Sequence, residues 1–290
     1  MKIPESELII NPDGSIFHLH IKPEQLASTV ILVGDPGRVR KISEYFDEIN
    51  FEGENREFVW KTGKYKNRSF TALSTGIGTD NIDIVLTELD ALVNVDFESR
   101  TIKKEKKSLT IVRIGTSGSL QADIPVDGWL ISEKVIGFDG LLNFYAGRNE
   151  ICDLDFEKAF TESVKWNPTF PAPYVVDADD SLVLKMKHPS AVKGVTISAP
   201  GFYGPQGRIV RLNTANPDLN EKISNFEYKG KRITNFEMEC SAIYGLSALL
   251  GHNAVTICVI IANRIAGKFS KDYNIPMKKL IEHILDSLSE

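Results

Sequence analysis

At 290 residues, 42% hydrophobic and 25% charged, the chain has an ordinary globular composition and enough length for one large domain or two small ones. A formal charge of -5 argues against binding nucleic acid or an anionic membrane surface, while leaving room for a local basic pocket. No stretch is long and apolar enough to span a bilayer or serve as a signal core, and Cys152, Cys240 and Cys258 match no metal or disulfide spacing, which together predict the reducing cytoplasm.

In chain order, residues 1–28 are polar with short apolar pieces. Within them 16–20 alternates as a short strand, placing His18 and His20 on one face, a solvated pair by default. Thr29–Val33 reads as a buried strand. It runs through Gly34-Asp35-Pro36-Gly37-Arg38 into a helix carrying Val39, Ile42 and Phe46. A strand, glycine-rich loop and helix in succession aim backbone N–H groups at an anion, although this loop is neither a P-loop nor a dinucleotide fingerprint. Residues 56–61 and 68–74 read as strands joined at 63–67, the second ending in Ser74-Thr75-Gly76-Ile77-Gly78. A helix capped by Thr79 or Asp80 follows, with Ile82, Val85, Leu86, Leu89, Leu92 and Val93 on one face. The charge run 103–107 is a solvated loop.

The stretch 109–119, LTIVRIGTSGS, reads as a central buried strand entering a turn at Gly115. A buried arginine needs either a carboxylate partner or a cavity. Arg113 is thus half of an internal Arg–Glu pair, or one wall of an oxyanion site completed by bare amides and the hydroxyls of Thr116, Ser117 and Ser119. Beyond it come a strand at 128–136, helices near 155–164 and 180–187 around a proline-rich loop, and a strand at 192–198. That strand opens into a loop, 199–208, bearing Phe202, Tyr203, Gln206 and Arg208. In the short strand 234–238 and just past it, Glu237 and Glu239 alternate with Phe236 and Met238. A helix at 241–250 stops at Gly251, a last buried strand at 254–262 ends in Asn263-Arg264, and an amphipathic helix covers 277–288. With no repeat or linker, residues 1–290 are expected to form a single α/β domain, a central mixed β-sheet flanked by helices.

Four strands end in small-residue turns, at Gly34, Gly76, Gly115 and Asn263, and such ends converge on one pocket in an open sheet. Arginines and hydroxyls at one side with carboxylates at the other suit a phosphate beside a polyol such as ribose. Phe202 offers a stacking face for a planar heterocycle, and Gln206 and Arg208 can read its carbonyl and imide edges.

With these residues in place, the sequence resembles the hexamer-forming nucleoside phosphorylases, and among them most the uridine phosphorylases. The resemblance rests on Gly-Asp-Pro-x-Arg at 34–38, Arg-Glu-Phe at 56–58, Ser-Thr-Gly-Ile-Gly at 74–78, Arg-Ile-Gly-Thr-x-Gly at 113–118, the Phe-Tyr…Gln-x-Arg loop and Glu-Met-Glu at 237–239. It implies a nucleoside phosphorylase-like fold and phosphorolysis of a pyrimidine nucleoside, with inorganic phosphate as co-substrate and no cofactor. It assigns phosphate to Gly34, Arg38, Arg56, Arg113 and Thr116, ribose to His18, Met238, Glu239 and neighbouring Glu237, and the base to Phe202, Gln206 and Arg208. Arg208, Gln206, Arg113 and Glu239 would carry the chemistry. His18 and Arg56 would serve a neighbouring copy in a dimer with shared sites, itself part of a trimer of dimers. Purine-specific relatives have an aspartate where this chain has Asn263-Arg264. Thr79-Asp80-Asn81 departs from a small, proline-containing pattern beside Glu57, where the resemblance would put a monovalent cation. Gly204-Pro205 reverses the family order, and 103–107 and 140–175 look like embellishments. The rival readings are a hydrolytic nucleosidase or a purine or broad-specificity phosphorylase of the same fold, and a non-catalytic nucleoside or phosphate binder.

Overall fold

The computed structural model describes residues 2–290. Its spine is the run of parallel strands that read as continuous apolar stretches because both their faces are covered. These are β1 (Thr29–Val33), β4 (Arg68–Ser74), β7 (Thr110–Ser119) and β13 (Asn253–Asn263), with β1 between β4 and β7, and β7 between β1 and β13. The other strands are β2 (Glu48–Asn55), β3 (Phe58–Tyr65), β5 (Val95–Asp96), β6 (Thr101–Ile102), β8 (Trp129–Gly137), β9 (Tyr174–Asp177), β10 (Ala191–Ser198), β11 (Glu227–Tyr228), β12 (Lys231–Glu237) and β14 (Lys268–Phe269). The main sheet runs β11-β12-β10-β8-β13-β7-β1-β4-β3-β2, mixed as expected, with β9 on β8 and β14 on β13.

One further pairing shapes the molecule. The end of β12 turns back antiparallel onto β7, Asn235 opposite Ser119 and Phe236 opposite Gly118. Strands β7, β13, β8, β10 and β12 therefore close into a ring, while β1, β4, β3 and β2 extend from it as an open sheet.

Helices α1 (Pro36–Ser43), α2 (Thr79–Asn94), α3 (Arg148–Ile151), α4 (Leu154–Val164), α5 (Asp180–Lys185), α6 (Leu219–Asn225), α7 (Cys240–Leu250) and α8 (Asn274–Ser289) cover the sheet. The apolar stripe foreseen on α2 is buried at Ile82, Val85, Leu86, Leu89 and Leu92, and α7 ends at Gly251 with φ 79°. The N-cap of α2 is Gly78, not Thr79 or Asp80.

Four expectations need correction. Residues 17–19 form a turn rather than a strand, because Glu88 on α2 accepts from the N–H groups of both His18 and Leu19 and pulls the chain round. His20 then sits at φ 52°, away from His18. Helix α1 ends before Phe46, and residues 48–55 form β2, an edge strand so exposed that its alternation gave no signal. The hairpin between β3 and β4 turns on Lys66 and Asn67 alone, at φ 48° and 63°, so Gly63 lies within β3. Finally, 115–119 is no turn. It continues β7 to Ser119, drawn out by the long partner β13.

Segment 140–175, where the helix expected near 155–164 is present as α4, contributes to a second aromatic core. Phe160 is fully buried, edge-on to Phe226 at 5.4 Å and tilted against Phe138 at 5.8 Å. Truncating it leaves a large void. Phe160→Ala is expected to cost about 3–5 kcal/mol of stability, seen as a lowered urea midpoint at unchanged slope. A loss under about 1 kcal/mol would mean that this cluster is not close-packed.

Candidate active site

Strand β7 supplies the floor of the site. On one side it pairs with β1 only as far as Leu32 opposite Arg113, and β12 takes over at Gly118. Between these contacts, 114–117 has one edge without a strand partner. Into this gap points the Arg38 guanidinium, whose Nη1 donates to the Ile114 carbonyl at 3.0 Å. Arg38 is buried and takes no carboxylate partner among the described residues. Burial lowers its pKa, and the nearby positive charge of Arg113 lowers it further. The two arginines thus share one centre.

Arg113 itself is buried and held by two carboxylates. Its Nη2 donates to Glu239 Oε2, and its Nη1 lies 3.3 Å from Glu237 Oε2 and 3.6 Å from Cys258 Sγ. Burial alone would lower its pKa, but Glu239 and then Glu237 reverse the direction and keep it firmly cationic. Its Nε–H has no partner, and neither does the buried hydroxyl of Ser117, four residues along. Gly115 is required here by space, since a Cβ would come 2.2 Å from Arg113 Nη1 and 2.8 Å from Cys258 Sγ.

The two glutamates differ in position. Glu237 is consumed by the scaffold: Ser198 donates to its Oε1, while the N–H groups of Glu239 and Cys240 each donate to Oε2 at 2.9 Å, capping α7. With its oxygens so engaged, it serves as a structural partner of Arg113. Glu239 accepts from Gly78 N–H at 2.8 Å and from Arg113, which orients its carboxylate beside half-buried Met238. Ser198 and Gly78 were not singled out from sequence. Ser198 stands opposite Glu237 in the parallel pair β10–β12, which would have marked it once that register was known.

The loop groups are placed as follows. Gly34 ends β1, and a Cβ there would press on the Gly76 carbonyl at 3.3 Å. The N-cap of α1, Asp35, accepts from Gly37 N–H at 2.8 Å, so the helix satisfies that donor itself and Arg38 is the group the loop delivers. Thr116 is half-buried along the gap, whereas Ser119 Oγ is spent on the carbonyls of Gln121 and Thr234. At the far end, Gln206 is buried and its Oε1 accepts from Arg208 Nη1. The Arg208 guanidinium lies 3.8 Å above the Phe202 ring, so one stacking face that sequence reserved for a heterocycle is already covered. Arg264 and Asn220 both donate to the Gln206 carbonyl, fixing the loop from behind. Asn263 donates through Nδ2 to Gln121 and Ile124, and its Oδ1 accepts from Ala266 N–H.

His18 and Arg56 are not hydrogen-bonded to this centre. His18 Nδ1 is bound to Glu88 Oε1 at 2.6 Å, and its carbonyl accepts from Asn55, next to exposed Arg56. Near Glu57, the Asn81 amide donates to Oε1 at 3.1 Å. An N–H donor in that place substitutes for a cation instead of coordinating one, so these residues do not fit a bound monovalent ion. Among the described residues no cluster of three or more His, Cys, Asp or Glu could hold a metal.

The family pattern described as the phosphorylase superfamily matches residues 28–283. A uridine phosphorylase of Thermococcus kodakarensis is 29% identical over 89% of this chain and 81% of its own length. A DeoD-type purine nucleoside phosphorylase of Listeria welshimeri is 25% identical over 87% of this chain and 88% of its own. Among solved structures, a Trypanosoma brucei nucleoside phosphorylase described as showing uridine phosphorylase activity superposes with a TM-score of 0.88 at 30% identity, covering 97% of this chain and 99% of that one. The chain belongs to the phosphorylase superfamily.

Proposed function

We propose that the protein cleaves uridine with inorganic phosphate, giving uracil and ribose 1-phosphate. The observation that carries this reading is the meeting of Arg38, which lacks an acidic partner, with Arg113 beside Glu239. A buried guanidinium without a counter-charge calls for an anion, which a hydrolase using water would have no reason to seat.

In this mechanism the oxygen of phosphate attacks C1′ while the C1′–N1 bond breaks, and its electron pair leaves with the base as a uracil anion. The arginines hold the nucleophile in place, so no protein nucleophile is needed. Glu239 binds ribose hydroxyls through its remaining lone pairs and favours the oxocarbenium-like sugar. Arg208 and the Gln206 amide stabilise charge growing on the uracil oxygens. The locked Asn263 amide supports a pyrimidine, because its donors and acceptor are all engaged and it has no proton to give a purine nitrogen. His18 and Arg56 complete the site of a neighbouring copy, in a dimer that assembles further into a trimer of dimers. We place the reaction in the cytosol, in keeping with three free cysteines.

Incubation with uridine is expected to release ribose 1-phosphate and uracil only when phosphate is supplied. Free ribose formed without phosphate would overturn the reading in favour of hydrolysis. Arg208→Ala should lower kcat/KM for uridine by about two orders of magnitude, the usual cost of losing a preorganised donor, and an unchanged value removes Arg208 from the chemistry. Gly115→Ala leaves the backbone unstrained but drives its Cβ into Arg113. It should cut kcat/KM by about tenfold or more, about one donor's worth of transition-state binding, and also lower the unfolding midpoint, because the displaced guanidinium braces the sheet. Equal activity would mean that the guanidinium has no fixed place.

A further inference from the structure

The segment 76–81, which leads from β4 into the first turn of α2, ties two parts of the site together. At one end Gly78 N–H reaches Glu239 at 2.8 Å, and at the other the Asn81 amide reaches Glu57 at 3.1 Å. Gly76, at φ 69°, makes room for the second contact, since a Cβ there would lie 2.6 Å from Asn81 Nδ2 and 3.0 Å from Glu57 Cγ. The main chain of Glu57 is fastened independently, by Ser74 Oγ donating to its carbonyl at 2.5 Å. The residue held so firmly follows Arg56, which occupies the left-handed region at φ 54°.

An asparagine amide can face a carboxylate in two ways. With Nδ2 toward Glu57 it supplies the positive end of a dipole and needs nothing else. With Oδ1 toward Glu57, oxygen would oppose oxygen and a cation would have to lie between them. The observed bond is of the first kind.

We propose that Asn81 is a positioning residue: its amide holds Glu57, and through it the Arg56 turn, in place of a bound monovalent cation, so that use of phosphate does not depend on potassium or sodium. This rests on the reading that Arg56 binds phosphate for a neighbouring copy.

The test measures initial rates of uridine phosphorolysis against phosphate concentration, with potassium, sodium or tetramethylammonium as the sole cation. The unmodified enzyme should give the same KM for phosphate in all three. Asn81→Asp sets a second carboxylate against Glu57 and converts the contact into a cation site. Its KM for phosphate should rise about tenfold in tetramethylammonium, the loss of one hydrogen bond to a charged group, and recover in potassium while KM for uridine stays unchanged. Potassium activation of the unmodified enzyme overturns the proposal, as does an Asn81→Asp enzyme indifferent to the cation. The first comparison needs no variant and decides the point even if the substitution unfolds the chain. Arg56→Ala separates the two claims. If it leaves KM for phosphate unchanged, the role of Arg56 falls, while the cation dependence still judges the amide at Glu57.

Discussion

A guanidinium inside a β-sheet is a costly object, and the site is built around meeting that cost at Arg113. Removing its charge from water disfavours it by several kcal/mol unless carboxylates and further hydrogen bonds compensate. Glu237 and Glu239 supply the compensation, and each is tied elsewhere. Glu237 caps α7 and takes the Ser198 hydroxyl, whereas Glu239 accepts the Gly78 N–H at the start of α2. One ion-paired cluster therefore fixes the relative positions of β7, β10, β12, α2 and α7. The same contacts that stabilise the interior also orient a carboxylate and a guanidinium toward the gap in β7, so scaffold and site are one set of bonds.

Within a single chain this centre is electrically neutral, two guanidiniums against two carboxylates. A phosphate dianion placed there would still lack counter-charge, and Arg38 can supply only part of it. Such a balance gives a physical reason for a third arginine to come from outside. Arg56 stands exposed at the tip of the β2–β3 hairpin, held at positive φ by the bonds to Glu57 on its C-terminal side. In the proposed assembly, this fastened turn is what would present the Arg56 side chain to a neighbouring copy.

The sequence made the spine and much of the site legible, and the reason is chemical contrast. Val30–Val33 or Ile111–Ile114 stand out because continuous apolar runs with an arginine or glycine at the end are unusual outside buried parallel strands. Edge strand β2 was invisible because half-solvated Glu-Ile-Asn-Phe-Glu has no inside to advertise. The turn foreseen at Gly115 was misread for the opposite reason. Small residues there serve the space needs of Arg113 and Cys258, not chain reversal. His18 and His20 were paired by an alternation that a single carboxylate, Glu88, overrides from 70 residues away. Contacts of that range leave no local trace. For Arg113, the two sequence readings, an internal ion pair or an oxyanion wall, proved compatible: the pair exists, and its Nε–H remains unspent.

In the proposed reaction, discrimination among bases would follow from what the loop at the far end can and cannot donate. Arg208 and the Gln206 Nε2 amide end present N–H groups, and Arg264 is turned onto the Gln206 carbonyl behind them. A 2,4-dioxopyrimidine offers two carbonyl oxygens to such an edge, and Gln206 Oε1, which already accepts from Arg208, keeps a second lone pair for the ring N–H. A purine leaving group asks instead for a proton at an imidazole nitrogen, and the asparagine nearest in sequence to that duty spends its amide on three backbone partners. Charge stabilised by fixed donors, rather than neutralised by proton transfer, is the chemistry this end of the site is equipped to perform.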